Sequence, residues 1–201
     1  LDIARLAAAF LVVAIHTSVL STYNETADFL LTRVAARVAV PLFLMISGAF
    51  VLNGRKLTFK HFIIKNALLY FTACALYLPV GLYAGLYHGI SLVKAVQLIL
   101  WEGPFYHLWY LPAAIAGGAI VYWLRRHFSI KTVLAITAGL YIIGLFGDSY
   151  YGLIADTPVG YYIYQPLFAV FSKTRNGLFL APLFMAAGCV FSRMKREPRR
   201  G

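Results

Sequence analysis

The sequence predicts an all-α, polytopic membrane protein: a transmembrane bundle of about six helices with both termini in the cytoplasm. Three observations carry this prediction. Hydrophobic residues make up 61% of the chain and charged residues 12%, against about 45–50% and about 25% in an ordinary soluble domain. The mean hydropathy of +0.76 is spread along the whole length, so one anchor joined to a globular domain does not explain it. The cations behind the net charge of +11 are segregated into alternate loops. A nucleic-acid binder gathers them on one accessible face instead, so no nucleic-acid partner is expected.

A bilayer core takes about 20 apolar residues per helix, with a range of about 17–25. The stretches Ile3–Leu20, Phe29–Leu52, Phe62–Tyr87, His107–Leu124, Thr132–Phe146 and Gly177–Phe191 meet that demand, the last two by extending into their flanks. The chain opens at Leu1 inside an apolar run and is read as starting a few residues into the natural protein. Two connectors, Gly89–Tyr106 and Gly147–Asn176, are rich in aromatics, Gly and Pro. Within them Ser91–Trp101 reads as an interfacial amphipathic helix. The tyrosine-rich run from Val159 to Pro166 reads as interfacial or re-entrant.

Orientation follows from the loops. The first basic loop carries Arg55, Lys56, Lys60 and Lys65, the second Arg125, Arg126 and Lys131, and the tail Arg193, Lys195, Arg196, Arg199 and Arg200. The alternate set holds only Lys94, Lys173 and Arg175, beside Glu25, Asp28, Glu102, Asp148 and Asp156. Cytoplasmic loops carry the excess of Lys and Arg, which places the first set inside. Cys74 and Cys189 lie in apolar stretches without CxxC or Cys/His spacing, so neither a metal site nor a disulfide framework is expected. No internal repeat appears, and residues 1–201 read as one domain.

Charges inside the spans ask for a reason, because Arg or Lys at a helix centre costs about 2.5–3.5 kcal/mol on insertion scales. Arg5 and His16 sit eleven positions apart on the first helix. That is about three turns, so they share a face about 16 Å apart along the axis. Arg33 and Arg37 follow the outer end of the second helix at i, i+4 spacing and are expected on one face, near the depth of His16. His107, Trp109 and Tyr110 at the start of the fourth span, and Arg175 before the sixth, fall at the same level. The bland alternatives are that Arg33 and Arg175 snorkel to headgroups, that Trp109 and Tyr110 form part of an aromatic belt, and that His61, His88 and His127 are solvated or boundary residues. Ser47-Gly48 reads as a site where small residues let helices approach closely.

Together these residues resemble the acyltransferase 3 family of integral membrane acyltransferases. The family opens with an Arg, ten residues and a His, matched by Arg5 and His16. Its Phe-Phe-x-x-Ser-Gly-Phe stretch is resembled by Phe43 to Phe50, its His-x-Trp-Tyr/Phe-Leu element by His107 to Leu111, and a segment of some bacterial members by Thr174 to Phe179. The arginine pair that members carry soon after the Ser-Gly element has only Lys60 and Lys65 as counterparts. Members have about ten helices, so the resemblance implies that this chain is the N-terminal part. Closely similar membrane halves precede the soluble domain of vancomycin-resistance-type serine racemases, where the implied role is bringing serine across the membrane.

The resemblance implies transfer of an acyl group from cytoplasmic acyl-CoA, a co-substrate and not a bound cofactor, to a hydroxyl or amine of a small molecule or glycan outside. Arg5, Lys60 and Lys65 are then expected to hold the donor's phosphates. His16 is expected as general base or transient acyl carrier, with Arg33 or Arg37 stabilising the oxyanion. His107, Trp109, Tyr110 and Arg175 form a candidate acceptor site. The rival reading is uptake of a small amino acid such as serine, with Arg37 clamping a carboxylate and His16 as gate. The composition does not fix an oligomeric state.

Overall fold

The computed structural model describes residues 2–52, 56–105 and 108–194. Among these residues every regular element is helical. Helix α1 is Asp2–Thr17. Helix α2 is one continuous run, Glu25–Val51, but it changes gauge on the way: α over Glu25–Phe29, π over Leu30–Val34, 3-10 over Ala35–Val38, then α again over Ala39–Val51. Helix α3 is Lys56–Tyr83. Helix α4 (92–102) begins as Leu92–Gln97 and widens to a π segment, Leu98–Glu102. Helices α5, Tyr110–His127, and α6, Ile130–Phe146, follow. Helix α7 (160–171) runs from a π segment, Gly160–Tyr164, into Gln165–Phe171, and α8 is Ala181–Met194.

Six of these helices coincide with the six apolar stretches, and α4 and α7 fall where interfacial segments are expected. Of the boundaries that differ from the sequence reading, three have a clear local reason. Helix α1 stops at Thr17 because Ser18 takes a left-handed φ of 45°. Helix α2 starts four residues early because the Asn24 side chain accepts from the Ala27 amide at 2.9 Å, a side-chain N-cap. Helix α8 starts at Ala181 because the Asn176 side chain takes the Leu178 and Phe179 amides and holds 177–180 as a turn.

Helix α8 is the hub, packed against the second half of α2 and against α5 and α6. At the α2–α8 crossing the backbones touch. A Cβ on Gly48 would stand 2.0 Å from the Met185 carbonyl oxygen, and one on Gly188 1.8 Å from that of Met45. The expected close-packing role of the Ser47-Gly48 pair is thus met, with Gly188 as its reciprocal partner. Leu44, Val121, Val133, Ala181, Met185, Ala186 and Cys189 fill the core around the crossing. In lipid, such close packing replaces the hydrophobic effect as the force between helices. Neither cysteine is in a disulfide.

The outer faces are apolar too. Within α3, the run Thr58–Tyr83 is almost wholly unburied, with Leu68, Phe71 and Leu76 all more than 60% exposed. Water does not tolerate so large a bare apolar surface, whereas a bilayer requires it. Glu25–Val51 and Thr58–Tyr83 are long and apolar enough to cross a membrane, while Ile130–Phe146 and Ala181–Ser192 are apolar but shorter. Helix α3 is tied on by the Phe59–Tyr122 stack at 4.1 Å, the Tyr77–Phe105 stack at 4.6 Å and the Tyr70 hydroxyl donating to Ile99 O at 2.7 Å. Lys94 Nζ reaches Glu102 at 2.7 Å and Ser172 Oγ at 2.9 Å, which fastens α4 to the end of α7. At the opposite end Arg125 donates to Leu52 O and to Cys189 Sγ. A residue read as a loop cation therefore closes the C-terminus of α2, where a helix favours positive charge.

Candidate functional site

Arg5 and His16 lie at the two ends of α1, separated by about 16 Å at 1.5 Å per residue. The Arg5 guanidinium stands 5.3 Å from the Phe50 ring and 3.2 Å from Asp2. It is therefore beside the C-terminal end of α2, where the chain runs on toward Lys60 and Lys65. Those two lysines are exposed on the first turns of α3. Arg55 and the side chain of Lys56 lie outside the described residues. His16 is in the last turn of α1 and exposed. The sequence reading put it further from the helix end, and the early stop at Thr17 corrects that.

The second helix departs from expectation where the arginines sit. Arg33 belongs to the π segment and Arg37 to the 3-10 segment, so the i, i+4 rule that places them on one face, which holds for an α-helix, does not apply. The Ala35 amide donates to Leu30 O, five residues back, as well as to Leu31 O, four back, and the Ala39 amide to Ala36 O, three back. Helix α1 packs along both segments. Thr32, Ala36 and Ala39 are buried there, while Arg33 and Arg37 remain exposed. Irregular helical turns of this kind occur often at functional sites.

The start of α2 and the end of α1 enclose an open cavity of about 160 Å³, whose lining includes Ser18, Ser21, Glu25, Asp28, Thr32 and Arg33. Asp28 is 9% exposed, and its Oδ1 accepts from the Leu20 amide at 3.0 Å. The Thr32 hydroxyl donates to Asp28 O at 2.8 Å, and that of Ser21 to Ser18 O at 2.8 Å.

The remaining candidates gather around the N-terminus of α5. Arg175 Nε is 3.6 Å from Asp148 Oδ2, and its guanidinium lies 5.9 Å from the Trp109 ring centroid. Arg175 is presented by a tight turn whose flanking residues are buried: Thr174 Oγ1 donates to Gly144 O at 2.7 Å and Asn176 Nδ2 to Lys173 O at 3.0 Å. Tyr110 meets the Phe43 ring edge-on at 6.3 Å and hydrogen-bonds Ser47, so it docks α5 on α2. His107 lies outside the described residues. The structure thus joins Trp109 to Arg175, and places Arg33 in the cavity at the end of α1.

Sequence reasoning passed over Asp28, Glu25 and Asp148, which it counted only as acids of outer loops. Asp28 and Arg33 are five residues apart, a spacing that leaves an ordinary α-helix about 140° out of phase. Only the π turn gives it meaning. Among the described residues no group of His, Cys, Asp and Glu could hold a metal ion.

No solved structure matches the chain. It is 42% identical over 94% of its length to an amino-acid racemase of Enterococcus faecalis, 27% of which is covered. It is 40% identical over 99% of its length to a serine/alanine racemase of Enterococcus gallinarum, 30% of which is covered. A second amino-acid racemase of Enterococcus faecalis is 34% identical over 98% of the chain and covered over 29% of its own length. The chain therefore spans less than a third of these curated relatives. The profile of the acyltransferase domain matches residues 1–201, in keeping with the Arg5/His16 pair, the Ser47-Gly48 crossing and the apolar helical surface, and the chain belongs to the acyltransferase 3 family of membrane proteins.

Proposed function

We propose that this chain is the membrane part of an enzyme that carries an acyl group from a cytoplasmic acyl-CoA-type donor to a hydroxyl or amine acceptor at the outer face. In this reading six helices, α1, α2, α3, α5, α6 and α8, cross the membrane and both termini are cytoplasmic. The observation that carries it is the placement of Arg5 and His16 toward opposite ends of α1. Arg5 stands at the end of α2 that leads to the basic residues of α3. His16 stands about a membrane half-thickness away, between Ile15 and Ser18, which share a cavity with the start of α2. Arg5, with Lys60 and Lys65, offsets the donor's phosphate charge. The pantetheine arm spans the distance to His16. His16 takes the proton of the acceptor hydroxyl or amine as the acceptor attacks the thioester carbonyl. The C–S bond then breaks and the CoA thiolate leaves, recovering a proton. Arg33 or Arg37 stabilises the oxyanion formed between the two events. Trp109 and Arg175 offer a flat cation and ring surface to an acceptor.

The relatives' printed activities favour a second reading, in which the module captures a small amino acid for a racemase elsewhere in the protein. Arg37 then clamps the carboxylate and His16 gates it.

Sealed vesicles carrying the full-length protein in either orientation separate the two. With radiolabelled acetyl-CoA and an outer-side amine or sugar acceptor, transfer is expected only when the donor reaches the face bearing Arg5. Arg5→Ala is expected to raise the KM for the donor more than it lowers kcat. Transfer from the opposite face would contradict the assignment. Serine uptake that is lost in Arg37→Gln, with no acyl transfer in any orientation, would establish the second reading.

A further inference from the structure

The two short helices α4 and α7 are each docked on the bundle by a π segment. That of α4 packs against α5, and its Ile99 O accepts from the Tyr70 hydroxyl of α3 at 2.7 Å. That of α7 carries Tyr164, whose hydroxyl donates to Ile143 O of α6 at 2.9 Å. Side chains then join the two helices to each other. Lys94 Nζ donates to Glu102 Oε1 at 2.7 Å within α4 and to Ser172 Oγ at 2.9 Å at the end of α7. Ser172 Oγ donates in turn to Gln97 Oε1 at 3.4 Å, and Gln97 Nε2 donates to Ala169 O. The Trp101 ring meets Phe171 edge-on at 5.1 Å.

Ser172 is strained where this joint grips it. Its φ is 45°, a region that residues other than glycine rarely adopt, and the Lys173 amide donates back across it to Phe171 O in a tight turn. Such conformations persist where the surroundings over-determine them, and they gather at functional sites. Both ends of the joint lead straight to the surface formed by Trp109 and Arg175. After Glu102, Gly103 lies so close to the start of α5 that a Cβ on it would stand 2.6 Å from the Trp109 amide nitrogen. After Ser172, Lys173 O accepts from Asn176 Nδ2 at 3.0 Å and closes the turn that presents Arg175. The guanidinium of Arg175 then completes the circuit, 5.9 Å from the Trp109 ring centroid.

We propose that Lys94 is a positioning residue: by bridging Glu102 to Ser172 it fixes the Arg175 guanidinium against the Trp109 ring, and so shapes the acceptor side of the reaction without touching the acceptor. The role in the reaction rests on the reading of Trp109 and Arg175 as an acceptor surface. The Lys94 side chain is 39% exposed, and an ion pair so open to water adds little to overall stability. Its contribution is geometric. A charge-assisted hydrogen bond to each of two segments fixes direction as well as distance, and small displacements of a group that holds a substrate lower rates steeply.

The test uses the full-length protein in sealed vesicles. Spin labels are placed on Lys173→Cys, exposed in the turn, and Ala119→Cys, exposed on α5, in a background without other cysteines. Pulsed electron resonance is expected to give one narrow distance in the parent and a broad or displaced one in Lys94→Met, which keeps the length of the side chain and loses its charge. Lys94→Arg, which keeps the cation and its donors, is expected to restore the narrow distance. In unlabelled protein, with acetyl-CoA as donor and glucosamine as acceptor, Lys94→Met is expected to raise the KM for glucosamine about tenfold, the scale of one misplaced charged hydrogen bond. The KM for acetyl-CoA should not change. A distance distribution in Lys94→Met that matches the parent's would overturn the positioning role, and so would a broadened one accompanied by parental KM values for both substrates. Absence of transfer from either face of the membrane counts against the enzyme reading instead, and the distances then decide whether Lys94 positions Arg175.

Discussion

The two halves of α2 are made by opposite rules. From Ala39 to Val51 it is a regular α-helix whose Met45 and Gly48 backbones touch α8. From Glu25 to Val38 it passes through π and 3-10 turns, carries Asp28, Arg33 and Arg37, and borders an open cavity. The contrast teaches that the crossing is what permits the irregularity. A helix that gives up its i→i−4 ladder loses stability in that stretch, and strained segments persist where their surroundings over-determine them. Here the clamp at Gly48 and Gly188 holds one half of α2, and the other half is free to aim its side chains.

The largest effect expected from breaking this comparison lies in the seam. Gly188→Val would drive a branched side chain into the Met45 carbonyl. Overpacking of a core costs about 1–3 kcal/mol, and here the obstacle is backbone. The variant is expected to melt far below the parent or fail to give a monodisperse species in detergent. Gly139→Val, on α6 with no atom within 4 Å of the added Cβ, should melt close to the parent. Equal melting temperatures for the two would mean the crossing is not the anchor.

A smaller effect separates the arginines. Arg33 lines the cavity and Arg37 does not. If the cavity is where the outer-side chemistry happens, Arg33→Gln should lower transfer about tenfold or more, the scale of one charged hydrogen-bonding group, and Arg37→Gln by less. The reverse order, measured at matched expression, would move the working site deeper along α2 and toward the carboxylate-clamp reading.

Much of the scaffold was legible beforehand because it follows from residue type alone. Long apolar runs give helices, and a Ser-Gly pair on an apolar face gives a close crossing. A Ser before a run gives a cap, as Ser91 and Ser129 do with the Lys94 and Thr132 amides. What was not legible depends on departures from helical regularity or on contacts distant in sequence. Nothing in Leu30-Leu-Thr-Arg-Val34 announces a π turn, so the common face expected for Arg33 and Arg37 rests on a regular α-helix that the chain does not form there. Gly177 to Leu180 reads as apolar helix, yet the Asn176 side chain withdraws two amides into a turn. The Arg175–Asp148 pair joins segments 27 positions apart, and no local pattern reveals such a partner.

The claim on which the enzyme reading rests is that His16, at the end of α1, performs the chemistry while the α2–α8 seam only holds it in place. The direct measurement is acyl transfer by the full-length protein carrying His16→Ala, with its melting temperature taken on the same sample. A general base or transient acyl carrier contributes about 10²–10⁴-fold in rate. Transfer is therefore expected to fall by at least that lower bound, with the melting temperature unchanged, because His16 is exposed in the last turn of its helix. A folded His16→Ala protein that transfers acyl groups at the parent rate would contradict the account.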